Sequence, residues 1–454
     1  MTFPQGRILL LIFVLAMLGA AGLLLHTASR SETDQIVWVF DASHADTYRL
    51  PTDRYRALTN VYEKATGRTV AVKLMPSRVL DARLLSLILG NIHSREVPDL
   101  VEIEIGSVGK YFRAPPDENG LYPLDQFIAN DPPAKDLSPA RLATWSSGGH
   151  VFGVPRDVHP VTLSYRRDLF EQAGVNLAAC TTWPAFYDAC LRYQQYWQAT
   201  GRPRLAMQLS RWNASDLMIV LYQQHIELIG AGGRPSLSDP RLAQTIAFYA
   251  QLVAGSKPVS TPIADDLVAR DLVEGHTACV LTPDWRVAYL RSEPRLLGRL
   301  AMIPLPRFAP GDARTASWGG TMVAIPANCR EPAASWELLR FMQLSPEALY
   351  ARQYYSSILP AVTTAWDDKV WDRPDPLFGG QAIGRLYAQL ARELPVQRTG
   401  PYSILLSQSI AAVSAATQTR LESSGPDHLE EFCREQLNAK QADLNRLLEF
   451  AEKR

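Results

Sequence analysis

Between Gln35 and Ile105, three short apolar runs alternate with two amphipathic stretches, and this alternation limits the fold more than any other feature of the chain. Ile36 to Phe40, Thr69 to Met75 and Leu100 to Ile105 have strand length and composition. The first separator opens after Pro51-Thr52, carries Tyr55, Leu58, Tyr62 and Ala65 as its inward stripe, and closes at Gly67. The second runs from Val79 to Gly90, and Pro98-Asp99 then introduces the third strand. Strand, helix, strand, helix, strand calls for a parallel sheet with right-handed crossovers, which predicts an α/β lobe. With 454 residues in the chain, a second core of similar size is also expected.

A change of lobe fits the stretch from Gly148 to Tyr165, where two extended pieces, Val151 to Pro155 and Val161 to Tyr165, flank the polar Arg156 to Pro160. Thr181-Thr182-Trp183-Pro184 then reads as a capped helix entry, the helix running to about Ala199. Further helices are expected over Asp216 to Ile229, Asp239 to Ala254 and Pro332 to Leu344, with a strand at Met322 to Ile325 after Gly319-Gly320. Asp367 to Pro376 reads as a Pro-rich loop, and the chain ends in amphipathic helices, the last over Leu437 to Ala451.

Residues 1–30 are of another kind. The run from Ile8 to Leu25 has no charged or strongly polar side chain and must leave water. It exceeds the usual apolar core of a signal peptide, and no small-x-small cleavage site precedes Ser31, which favours an uncleaved signal anchor over a cleaved signal. With Arg7 on the cytoplasmic side, everything after about Arg30 is expected outside, tethered to the cytoplasmic membrane by residues 8–25. Lys plus Arg and Asp plus Glu each number 46, so no net field draws in nucleic acid. Cys180, Cys190, Cys279, Cys329 and Cys433 form no C-x-x-C pair, which removes the usual zinc and redox motifs. A helix starting near Pro184 would carry Cys190 roughly 10 Å along its axis, so Cys180 and Cys190 read as free thiols or core fillers.

The order of short motifs resembles the extracellular solute-binding proteins of carbohydrate ABC importers, the group that includes maltose-binding proteins. Pro98-Asp99-Leu100-Val101, Gly153-Val154-Pro155, Leu163 to Phe170, Ala173-Gly174 and Thr182-Trp183-Pro184-Ala185-Phe186 match in succession. Gly275 to Val280, Trp285, Ile303 to Pro306, Trp318-Gly319-Gly320 and Ala334 to Leu339 continue the series. Two departures stand out: no cysteine precedes Cys180, so the lipid-modified cysteine of many relatives is missing, and Arg166 replaces the family's asparagine. The resemblance implies a two-lobed periplasmic-binding-protein-like α/β fold, each lobe a mostly parallel sheet flanked by helices, with a ligand cleft between them. Lobe 1 would hold residues 35–158 and 322–364, and lobe 2 residues 159–321 and 365–454. It further implies a monomer that takes a sugar-like solute by lobe closure and hands it to ABC permease subunits, with no cofactor, no metal and no catalysis.

A sugar presents hydroxyls at its edges and C–H groups on its faces, so its site needs fixed polar groups and flat aromatic rings. In an open parallel sheet these stand on loops at the carboxyl ends of strands. The first such loop offers Asp41, Ser43 and His44, either as hydroxyl partners or as a solvated turn capped by Asp41. Glu104 and Ser107 follow the third strand, with Glu102 on the same strand face as Glu104. Asp157 and His159 lie in the expected crossing, His159 as a ligand group or as a structural hinge histidine. Trp212, Trp285, Trp318 and Tyr402 lie in loops or at element ends and are candidate platforms, whereas Trp183, Trp197 and Trp336 lie on helices at core spacing. No P-loop, G-x-S-x-G elbow, H-E-x-x-H or dinucleotide fingerprint is present. The alternatives left open are a glycoside hydrolase pairing Glu104 with Asp157 or Asp284, and a binding module reporting to a membrane sensor.

Overall fold

A computed structural model describes residues 34–41, 46, 57–90, 97–112, 117–212, 214–230, 232–262, 264, 267–356 and 358–452. The apolar run of residues 8–25 and the loop residues Ser43 and His44 lie outside the described residues, as does Tyr55 at the start of the first expected helix. In chain order the first strands are β1 Asp34–Val39, β2 Thr69–Leu74, β3 Leu100–Glu104, β4 Ser146–Ser147, β5 His150–Val151 and β6 Val154–Pro155. They are followed by β7 Val161–Arg166, β8 Met207–Gln208, β9 Ser260–Thr261, β10 Cys279–Pro283, β11 Leu300–Pro304 and β12 Thr321–Ala324.

Two five-stranded sheets form, in the orders β2-β1-β3-β12-β6 and β11-β7-β10-β8-β9. Each is mixed. In the first sheet β2, β1 and β3 run parallel, and β12 is antiparallel to both β3 and β6. In the second, β10, β8 and β9 run parallel, and β7 is antiparallel to both β10 and β11. The antiparallel strands are the ones adjoining the crossings, where the chain leaves one sheet and later returns to it. β4 and β5 form a separate small hairpin.

Both sheets are covered on both faces, because successive side chains of a strand point to opposite sides. Val37 and Val39 of β1 join a core with Leu100, Val323 and Trp336, while Ile36 and Trp38 join Ile103, Met322 and Leu84 on the other face. In the second sheet Val161, Leu163, Cys279 and Leu281 face a large core, and Val280, Leu300 and Met302 face a smaller one. The helices Arg241–Val253, Ser403–Ser424 and Leu429–Glu452 close that large core. The segment after Thr364 serves both lobes: Trp366, Trp371, Ala388 and Ala391 enter the first lobe's core, and Leu377, Phe378, Ile383 and Tyr387 the second's.

Local chemistry sets some of the helix ends. Thr182 caps the helix Trp183–Ala199 by accepting from the Ala185 N–H, and Gly67 ends Leu58–Thr66 at a φ of 72°. The helix expected to reach Ile229 stops at Tyr222. There Gln223 is taken up by tertiary bonds, accepting from Trp183 Nε1 and donating to the Pro306 carbonyl, and His225 adopts a φ of 56° that no α-helix continues through. Trp183, Trp197 and Trp336 are buried, as their helical spacing predicts, and all five cysteines are free thiols.

Candidate functional site

Two strand connections pass between the sheets, residues 156–160 after β6 and residues 305–320 before β12. They run side by side, since Val161 N–H donates to the Ala316 carbonyl and Trp318 N–H to the His159 carbonyl. A buried ionic cluster ties them together. His159 Nδ1 lies 2.5 Å from Asp284 Oδ1, and its Nε2 lies 3.1 Å from Asp157 Oδ1. Arg141 Nε donates to the Asp157 carbonyl, Nη1 to Ser317 Oγ and Nη2 to the Gly319 carbonyl. Asp157 also accepts from the Thr321 N–H, and Asp284 from the Leu359 N–H. Two cations and two anions balance, which is the arrangement a buried cluster requires. Burial pulls the His159 imidazole down, but the charges and hydrogen bonds of Asp157 and Asp284 outweigh it, and its pKa is raised from 6.5 to about 10. Among the described residues His159 is one of three non-glycine positions with positive φ, at 53°, a strained backbone held by this network.

Beside the crossing, a cavity of about 450 Å³ opens at the carboxyl ends of β8, β9 and β10, where open parallel sheets hold ligands. Trp212 and Trp318 supply aromatic wall, and Gln208, Ser210, Asp216 and Arg286 supply polar groups. Asp216 is fixed by accepting from the Ser210 N–H at 2.7 Å. Gln208 is buried and donates from Nε2 to Asp271 and Thr277, and its carbonyl Oε1 has no partner among the described residues. The Arg286 guanidinium lies 4.5 Å over the Trp318 ring and 5.0 Å over that of Trp285. Trp285 Nε1 donates to the Trp318 carbonyl, and the two rings meet edge to face at 5.8 Å. Trp318 is thus held by Trp285, Arg286 and the large core on which it packs, and it presents part of its surface to the cavity.

A family model described as bacterial extracellular solute-binding protein matches residues 41–348, more than half of the chain. The chain belongs to that family. Members of it work outside the cytoplasm, so this solute-binding protein is extracytoplasmic. It is 23% identical over 344 residues to an arabinooligosaccharide-binding protein of Bacillus subtilis, covering 75% of each chain. It is likewise 23% identical over 341 residues to a lactose-binding protein of Rhizobium radiobacter, covering 70% of this chain and 73% of that one. Among solved structures, the sugar-binding protein MalE of Xanthomonas citri superposes with a TM-score of 0.71 at 17% identity, covering 93% of this chain and all of that one. The two-lobed fold read from the motifs is the fold of these relatives.

The residues singled out from sequence fall into separate places in the solute-binding protein. Trp212 and Trp318 line the cavity, with Trp212 76% exposed. Asp157 and His159 are in the crossing cluster, and Trp285 stands behind Trp318. Asp41 and Glu104 are exposed at the carboxyl ends of β1 and β3. Glu102, on the same strand, is buried instead and pairs with Arg156 at 2.9 Å. Ser107 donates to Asp81 at 2.6 Å, within the first lobe. Tyr402 is half-buried just before the helix Ser403–Ser424, beside Gly400, whose carbonyl abuts Gly109 of the first lobe. Gln208, Ser210, Asp216, Arg286 and Arg141 were not read from sequence. For Gln208 a signal exists, a lone amide within the apolar run Leu205 to Leu209; Arg141, inside an ordinary helical stretch, carries none.

Proposed function

We propose that this protein captures a sugar or sugar-like solute in the cavity beside the crossing and delivers it to the permease of an ABC importer by closing its lobes. The observation that carries the reading is the pairing of a tryptophan wall, Trp212 and Trp318, with a buried Gln208 carbonyl that has no donor among the described residues. Apolar sugar faces stack on the rings, and a hydroxyl donates to the amide oxygen. The relatives named for arabino-oligosaccharides and lactose support the solute class. Asp41 and Glu104, exposed at strand ends of the first lobe, stand where they would meet a ligand on closure. Hydrolysis is not part of the reading, because Asp157 and Asp284 share the His159 imidazole and accept backbone N–H bonds besides. The protein acts as a monomer held at the membrane by residues 8–25.

A thermal-shift series with arabino-oligosaccharides, lactose and maltose tests this. A ligand at one hundred times its dissociation constant adds about 2.7 kcal/mol and raises the unfolding midpoint by a few degrees. A shift that Trp212→Ala abolishes supports the cavity as the site; a shift that survives both Trp212→Ala and Gln208→Ala places the sugar elsewhere.

A further inference from the structure

A second cavity, of about 440 Å³, shares no lining residue with the first, although Asp284 of one and Arg286 of the other are two positions apart. Its walls come from both lobes. Trp371 belongs to the first lobe's core and Val370 packs on it, whereas Val287, Leu377, Ile383 and Tyr387 belong to the second's. Tyr354, from the helix Pro346–Tyr355, and Leu297 stand exposed at its mouth and extend the apolar and aromatic lining outward. Four charged residues line it, and three are neutralised in place: Asp375 pairs with Arg291 at 2.7 Å, and Asp284 with the buried His159. The fourth is Arg373, exposed at the rim with its guanidinium 4.5 Å over the Tyr354 ring and in no ion pair among the described residues. An apolar chamber with a single uncompensated cation at its mouth selects an apolar body carrying one negative charge.

We propose that this cavity is a second binding site, for a small arylalkyl carboxylate whose ring lies among Trp371, Val287 and Ile383 and whose carboxylate pairs with Arg373. The site is spatially distinct from the sugar cavity. Because its walls belong to both lobes, its occupant favours one lobe angle over others, and by linkage acid and sugar change each other's affinity by the same factor.

Calorimetric titration of the full-length protein with phenylacetate, and with phenylacetamide as the uncharged control, tests the assignment. Phenylacetate is expected to saturate one site and to bind more tightly than the amide. Arg373→Gln, at an exposed position, should weaken phenylacetate about tenfold and leave phenylacetamide unchanged. Leu297→Glu places a carboxylate at the mouth, where Leu297 is 61% exposed, and should weaken the acid alone. Trp212→Ala, in the sugar cavity, should leave phenylacetate binding intact. Equal binding of acid and amide, absence of saturation by phenylacetate, or indifference of its affinity to both Arg373→Gln and Leu297→Glu would overturn the proposal.

Discussion

At the residue scale, the tryptophans separate by what holds them. Trp212 is 76% exposed, with the Arg211 guanidinium 5.5 Å from its ring, so its surface is available to a ligand. Trp212→Ala is expected to weaken sugar binding about tenfold or more, since an anchoring aromatic contributes at least 1–2 kcal/mol, and to leave the ligand-free unfolding midpoint unchanged. Calorimetry and thermal denaturation of the same variant decide it. Trp285 is half-buried, bonded to the Trp318 carbonyl and packed on the Trp318 ring, so Trp285→Ala should lower both affinity and stability, the latter by about 2 kcal/mol. An unchanged midpoint in that variant would make Trp285 a ligand platform in its own right. The sequence marks such residues when they stand in loops, as Trp212 and Trp318 do, because an aromatic outside a periodic face is not committed to a core stripe, although Trp318 also packs on the large core. It marks Gln208 only as a lone amide in an apolar run and is silent on Asp216 and Arg286, whose roles arise when β8, β9 and β10 come side by side.

Elements were legible where hydrophobic period and punctuation agreed. β1, β2, β3, β7 and the helices Trp183–Ala199 and Pro332–Leu344 follow the pattern within a few residues. β8 and β9, two residues each, have no period to detect, and the cavity is built on their ends. The crossings show as proline and paired glycine, but the ionic cluster inside them does not, because Arg141, Asp157, His159 and Asp284 are scattered along the chain. Gly320 sits there with a φ of 129°, and a Cβ at this position would fall on the pinned Arg141 guanidinium. Gly320→Ala is therefore expected to destabilise the protein by about 1–3 kcal/mol, measured by denaturant unfolding. His159 makes the element pH-dependent. Its pKa is raised in the folded state, so the stabilisation from the cluster is complete below about pH 6.5 and is lost as pH rises through about 10. Unfolding midpoints followed over that window should fall more steeply for the native chain than for His159→Gln. Parallel slopes would mean that His159 is not the charged centre of the crossing.

For the whole molecule, the question is what moves when solute arrives. The two sheets are joined by the paired crossings at residues 156–160 and 316–320, and the buried cluster holds those segments to each other and to Leu359. Such a knot resists separation of the strands, while leaving rotation of one lobe about the pair as the softer motion, with each sheet and its cores moving as a unit. The energy for rotation has to come from contacts that the solute makes with both lobes only when they are closed. On the proposed function, Trp212, Trp318 and Gln208 are the second lobe's share of these contacts, and ligand would dock there first. Asp41 and Glu104, at strand ends of the first lobe, are the groups that would be recruited afterwards. Closure therefore predicts a division between variants: Trp212→Ala should weaken the initial docking itself, whereas Glu104→Ala should permit docking but reduce the fraction of closed molecules. Small-angle scattering at saturating sugar, using the compound the thermal-shift series identifies, reads that fraction as a fall in radius of gyration. The native protein should contract, and Glu104→Ala should contract less at equal occupancy. An unchanged radius in the saturated native protein would sink the hinge and leave a rigid two-lobed receptor.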